Sequence, residues 1–244
     1  MRTDILGVPF DGIPAEEAVR RTLAFAKRRN SAIVCTPNPE ILWRSRNQEA
    51  LRQALCHADL VLPDGIGIVW ASGVLSQRFP QRVTGYDLFT GLLARLTGTV
   101  YLLGGKPGVS EAAARVIEAA YPSVTVVGTA DGYFEDDTSL VRDINEKSPD
   151  VLAVCLGSPK QELWMTERRD RLSVGVMLGL GGTLDVLSGR VRRAPDFWIE
   201  HNAEWLYRLM TQPTRLKRQL CLPLYAAAVL KERIKHGKGK ACGP

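Results

Sequence analysis

The sequence predicts an α/β fold: a doubly wound, mostly parallel sheet of Rossmann-like type with a basic helical C-terminal appendage. Three observations carry that expectation. Short apolar, β-branched runs recur along the first part of the chain. Stretches of helical periodicity separate them, as a parallel sheet with crossover helices requires. Both signals stop near Asp196, after which only helical spacing and basic residues follow.

The predicted strands are residues 32–35, 60–62, 100–103, 124–127, 151–156 and 174–178. They are continuous apolar runs rather than alternating ones, which suits strands buried on both faces. Between them, Ala15, Ala18, Val19, Thr22, Leu23 and Ala26 share one helical face. Val109, Ala112, Ala113, Val116, Ile117 and Ala120 share another. Residues 88–96 predict a helix with Asp87 as its N-cap. In the last segment Trp198, Trp205, Leu206 and Leu209 fall on one helical face, and Pro213 and Pro223 are expected to divide the segment into short helices. The expected division is a core over residues 1–195 and an appendage over 196–244.

Charge follows the same division. Residues 190–240 hold twelve basic and four acidic residues, a local net charge of +8, while the rest of the chain sums to −2. A neutral body with one basic end points to a localised anionic partner and argues against a nucleic-acid coat. No apolar run approaches the roughly 20 residues of a membrane span. The start of the chain, with Asp4, does not read as a signal peptide. Five cysteines without Cys-x-x-Cys spacing argue against a disulfide framework or zinc site and fit a reducing cytoplasm. Cys35 and Cys155 read as small core residues. The three histidines show no ligand spacing. Glu135, Asp136 and Asp137 read as a solvated loop, and no metal site is expected.

Ligands of open α/β sheets bind beyond the carboxyl ends of the strands, and each predicted strand here ends in polar or glycine residues. Thr36 and Asn38, flanked by prolines, offer neutral hydrogen-bonding groups or simply make a turn. Asp64 precedes Gly65 and Gly67. It reads either as a general base on the rim or as the cap of the following helix. Gly104 and Gly105, and likewise Gly181 and Gly182, offer backbone amides to a phosphate, or form tight turns without a ligand. Neither glycine loop has the dinucleotide or Walker pattern. Arg82 supplies a cation, and Gln161 stands at a strand end.

These motifs, in order, are Thr36-Pro37-Asn38-Pro39-Glu40, Leu62-Pro63-Asp64-Gly65-Ile66-Gly67, Arg82-Val83-Thr84-Gly85-Tyr86-Asp87, Leu102-Leu103-Gly104-Gly105, Gly157-Ser158-Pro159-Lys160-Gln161-Glu162, Gly181-Gly182-Thr183-Leu184-Asp185, Arg193-Ala194-Pro195 and Glu204-Trp205-Leu206-Tyr207-Arg208. In this order and spacing the sequence closely resembles the WecG/TagA/CpsF glycosyltransferases, glycosyltransferase family 26, over nearly its whole length. Two departures are Leu156, where a glycine is common, and Asn202-Ala203 before Glu204-Trp205.

The resemblance implies inverting, metal-independent transfer of an N-acetylmannosamine-type sugar, or a related hexose or uronic acid. The donor would be a UDP-sugar and the acceptor a polyprenyl-diphosphate-linked N-acetylglucosamine. It implies Asp64 as general base, with Thr36, Asn38, Arg82 and Gln161 lining the pocket. Arg208, Arg215 and Arg218 would approach the UDP or the lipid diphosphate. It further implies a cytoplasmic protein on the inner face of the plasma membrane, held there by the basic appendage, with no cofactor. A homo-oligomer is left open. The competing expectation is a non-catalytic module that binds sugar-nucleotide or lipid diphosphate within a polymer-synthesis complex.

Overall fold

The computed structural model describes residues 2–201, 203–211 and 219–239 of the chain. It opens with an antiparallel hairpin, β1 (Arg2–Ile5) and β2 (Val8–Asp11). The sequence reading missed this hairpin. Its two-residue turn is Leu6-Gly7, both with positive φ, instead of the usual Asn-Gly or Asp-Gly. The Gly7 amide donates to the Asp4 carboxylate at 2.9 Å, which holds the turn.

The six expected strands are all present: β3 (Ala32–Cys35), β4 (Leu60–Val61), β5 (Gly98–Gly104), β6 (Val124–Ala130), β7 (Val151–Cys155) and β8 (Val176–Gly179). They form one sheet in the order β4-β3-β8-β7-β5-β6, parallel at every pairing. The apolar runs serve two cores at once. Ile33, Cys35, Leu152, Val154 and Met177 point into one layer, and Ala32, Val34, Val151, Ala153 and Leu178 into the other. Each fully buried Val, Leu or Ile contributes about 1.5–3 kcal/mol relative to exposure, so the central strands anchor the fold.

The second layer is covered by α1 (Ala15–Arg28) through Ala18 and Val19, then by the later helices α5 (Gly85–Leu93) and α6 (Val109–Ala120). On α6 the expected face is not fully kept, since Val116 is exposed. α5 starts three residues before the expected helix. Thr84 is its N-cap, accepting from the Asp87 amide at 3.1 Å, while its hydroxyl donates to Asp87 Oδ2 at 2.7 Å. Asp87 is therefore the reciprocal partner of a cap, as in a capping box.

The first layer is covered by the hairpin together with α3 (Glu49–His57), α4 (Ile66–Leu75), α7 (Thr138–Lys147) and α8 (Lys160–Arg168). α2 (Pro39–Ser45) leads out of β3, and the short α9 (Thr183–Leu187) leads out of β8. The acidic loop at 135–137 is not wholly solvated. Asp137 is buried and accepts from Trp164 Nε1 at 2.7 Å and Arg168 Nε at 2.8 Å, tying α7 to α8.

The last segment contains α10 (Asp196–Glu200), α11 (Glu204–Thr211) and α12 (Cys221–Gly239). Trp198 and Trp205 lie on different helices, so the expected single face is broken at residue 201. Pro223 does not divide α12; it sits in the first turn, where no intrahelical N–H is required. Pro213 lies outside the described residues. α12 is held to the body by buried Tyr225 and Val229, and by the Tyr225 hydroxyl, which donates to Gly67 O at 3.2 Å. The Arg233 guanidinium donates to the Val74 carbonyl. Residues 231–239 continue the helix.

Candidate active site

The strand order reverses around β3 and β8, and the loops leaving β3, β7 and β8 open a crevice there, as expected of a doubly wound sheet. The crevice is a polar cleft of about 270 Å³. Thr36, Asn38, Asp64, Gln161, Gly181 and Gly182 all line it, so six of the expected residues converge on one place.

The loop chemistry explains how each is held. The Thr36 hydroxyl donates to Gly179 O at 3.4 Å, linking the ends of β3 and β8. Asn38 is the N-cap of α2, its Oδ1 accepting from Ile41 N at 3.0 Å, with Pro39 following as the first helical residue. Asp64 does not cap α4. Gly65, with φ +96°, occupies that position, and Asp64 stands one residue earlier on the rim. A Cβ on Gly67 would lie 2.6 Å from Pro39, so glycine permits the close approach of α4 to α2 beneath Asp64.

Gln161 is buried rather than solvent-facing. Its Oε1 accepts from the Gly181 amide at 3.0 Å and its Nε2 donates to Glu162 Oε1 at 2.9 Å. It therefore cross-links the loops after β7 and β8. Glu162 is itself buried, and that burial pushes its carboxyl above the ordinary glutamate value. Burial also pushes the Cys155 thiol up to about 12, so it is an inert core group.

Three expectations about amides and cations change. The Gly105 amide donates to Cys155 O at 3.3 Å, and a Cβ on Gly104 would lie 2.3 Å from that same oxygen. These two glycines serve close strand packing rather than the cleft. Gly105 instead borders a neighbouring cavity with Lys106 and Lys160, which joins the cleft at Asp185. The Gly181 amide is engaged by Gln161, leaving Gly182 as the cleft glycine without that tie. Arg82 borders an apolar groove that also reaches Asp64, rather than the polar cleft. It forms a largely buried ion pair with Glu204 at 3.0 Å and also donates to Ile199 O at 3.3 Å, fastening the last segment to the body.

Cations that the sequence reading did not assign to the cleft are Arg44, Arg192 and Arg193. Arg44 donates to Ser158 O at 2.8 Å; Arg193 pairs with Asp87 and stands 4.3 Å over the Tyr86 ring. The Arg193-Ala194-Pro195 motif was the available signal. The Arg208 side chain, Arg215 and Arg218 lie outside the described residues.

A second cavity, an apolar groove of about 340 Å³, lies on the other side of Asp64. α4 lines it through Trp70, and α11 and α12 through Trp205, Leu222 and Tyr225. Asn38, Glu40, Asp64 and Glu204 border both cavities. Among the described residues no cluster of His, Cys, Asp and Glu could hold a metal ion, and no helix is long and apolar enough to cross a membrane.

The parallel α/β sheet thus carries a carboxylate, Asp64, that borders both a polar and an apolar cavity near its switch point. The chain belongs to the glycosyl transferase WecG/TagA/CpsF family, whose model matches residues 3–239. Similar curated proteins include the N-acetylglucosaminyldiphosphoundecaprenol N-acetyl-beta-D-mannosaminyltransferase of Bacillus subtilis (strain 168), 37% identical over 85% of this chain and 82% of that protein. The protein of that name from Staphylococcus aureus (strain MRSA252) is 31% identical over 98% of this chain and 96% of its own length.

Proposed function

We propose that this protein transfers an N-acetylmannosamine-type sugar from a UDP-sugar to polyprenyl-diphosphate-linked N-acetylglucosamine, with inversion and without a metal. The observation that carries the reading is the place of Asp64, on the border of a polar cleft and an apolar groove. The donor occupies the cleft and the acceptor enters from the groove side. Asp64 takes the proton of the acceptor hydroxyl. The resulting oxygen attacks the anomeric carbon as the bond to UDP breaks, and UDP leaves with the electron pair. An alcohol needs such a proton acceptor to become a competent nucleophile. Arg44 and Arg192, which line the cleft, offset the charge growing on the departing diphosphate. Arg208, Arg215 and Arg218 are proposed to add to that charge on the UDP or the lipid diphosphate.

The protein works at the inner face of the membrane in this reading. Phe197, Trp205, Leu220, Leu224, Leu230 and Ile234, all in the last segment, are exposed. That apolar surface, with the local charge of +8, suits an anionic bilayer, where each basic residue contributes on the order of 1 kcal/mol.

The test is a panel of UDP-sugars with a lipid-linked N-acetylglucosamine acceptor, run with and without a chelator. UDP release that requires both the acceptor and an N-acetylmannosamine-type donor, unchanged by chelation, is expected. Donor binding without any acceptor-dependent release would favour the non-catalytic binding module.

A further inference from the structure

We infer that the apolar groove is the seat of the acceptor's amino-sugar ring, with the Trp70 and Trp205 indoles as its aromatic walls. The inference rests on the function proposed above and deepens it. A general base must stand within hydrogen-bond reach of the hydroxyl it deprotonates. The ring that bears that hydroxyl, and not the lipid beyond the diphosphate, must therefore lie beside Asp64. Asp64 borders two cavities, and the polar cleft is assigned to the donor.

The groove fits a sugar ring on three counts. Its volume of about 340 Å³ is at the lower end of small-molecule sites, which begin near roughly 300 Å³. Its surface is mostly apolar yet carries the polar groups of Asn38, Glu40, Asp64, Arg82, Glu204 and Gln219, which matches a ring with hydroxyls on its edge and C–H groups on its faces. Two partly exposed tryptophans line it, Trp70 on α4 and Trp205 on α11. Exposed indoles with a polar neighbour are suited to a ligand that is apolar on one side and wet on the other. Leu220, just before α12, and Leu224 on it are exposed on either side of Leu222, so a lipid leaving the groove runs over an apolar surface.

Trp70 is 39% exposed, so its replacement does not open the core. The experiment uses the full chain and a water-soluble probe, N-acetylglucosaminyl diphosphate bearing a short alkyl chain, with binding followed by calorimetry. Trp70→Ala is expected to weaken the probe about tenfold and to raise the acceptor KM to match. Trp70→Phe is expected to recover most of that loss, and Ala226→Phe, which fills the groove, to abolish probe binding. UDP affinity stays unchanged in all three. Equal probe affinity for the parent protein and Trp70→Ala would overturn the inference, as would failure of the parent to bind the probe. A loss seen only with long isoprenoid acceptors would overturn it too, assigning the groove to lipid. Absence of transfer by the parent, with probe binding and its Trp70 dependence intact, would instead sink the function and leave the groove assignment standing.

Discussion

The polar cleft is lined mostly by loops of the sheet, at Thr36, Ser158 and Gly182, with Glu204 and Thr211 from α11, while the apolar groove draws Glu204, Trp205, Leu222, Tyr225 and Ala226 from α11 and α12. The cleft rests on strands that are buried on both faces. The groove's outer wall is fastened by few anchors: Tyr225, Val229 and the Arg82–Glu204 pair. The two halves of one site therefore differ in what they depend on. The donor half rests mainly on the body's own fold, whereas the acceptor half depends far more on the docking of the last segment.

Removing the chain from residue 196 onward is the severest way to break that difference. Transfer is expected to vanish, and acceptor binding with it, while UDP affinity falls by much less. Loss of UDP binding to the same degree would show that the halves are not separable. Full transfer by the truncated chain would take the last segment out of the mechanism.

Asp64 belongs to both halves, so its replacement sharpens the comparison differently. Asp64→Asn is expected to lower turnover by about 10²–10⁴, the usual worth of a positioned general base. Both substrates should still bind, because the side chain keeps its size. Near-normal turnover in a steady-state assay would remove Asp64 as the base.

Legibility follows the same line between the halves. The six strands could be read because each is a continuous apolar run ending at a polar loop, and the cleft could be read because it sits on those loops. The groove could not. Trp70 looks like any apolar residue of a helix, and its pairing across space with Trp205 depends on how α11 docks. The hairpin escaped for want of a turn signal at Leu6-Gly7. Asp137 was read as solvated because its partners, Trp164 and Arg168, lie on a later helix. Arg82 does border the groove, but the ion pair that holds it there is not legible, because its partner Glu204 is 122 residues away.

The buried Glu162 tests how rigidly the donor half is held. Its folded-state pKa is raised by burial, so the unfolded chain ionises first as pH rises above about 4.3, the ordinary glutamate value. Stability linked to this group is complete below that value and is lost as pH rises through the folded pKa. Glu162→Gln removes the cost of ionisation and keeps an acceptor for Gln161 Nε2. The variant is expected to melt higher than the parent at neutral pH and at the same temperature well below about pH 4.3. A lower melting temperature at neutral pH would mean that the charged carboxylate is itself a needed partner in the cleft.

The smallest expected effect is at the anchor of the acceptor half. Tyr225→Phe leaves the ring packed between α4 and α12 and deletes only the hydroxyl that donates to Gly67 O. A net hydrogen bond of this kind contributes about 1 kcal/mol. Gly67 belongs to the first turn of α4, directly after Asp64 and Gly65, so the bond spans from the last segment to the backbone that carries the base. If the groove's wall hangs on a few such ties, the acceptor KM should rise a few-fold while the donor KM does not move. If both constants stay put and only the melting temperature falls, the anchor serves stability alone, and the position of α12 is set by the burial of Tyr225 and Val229 rather than by this bond.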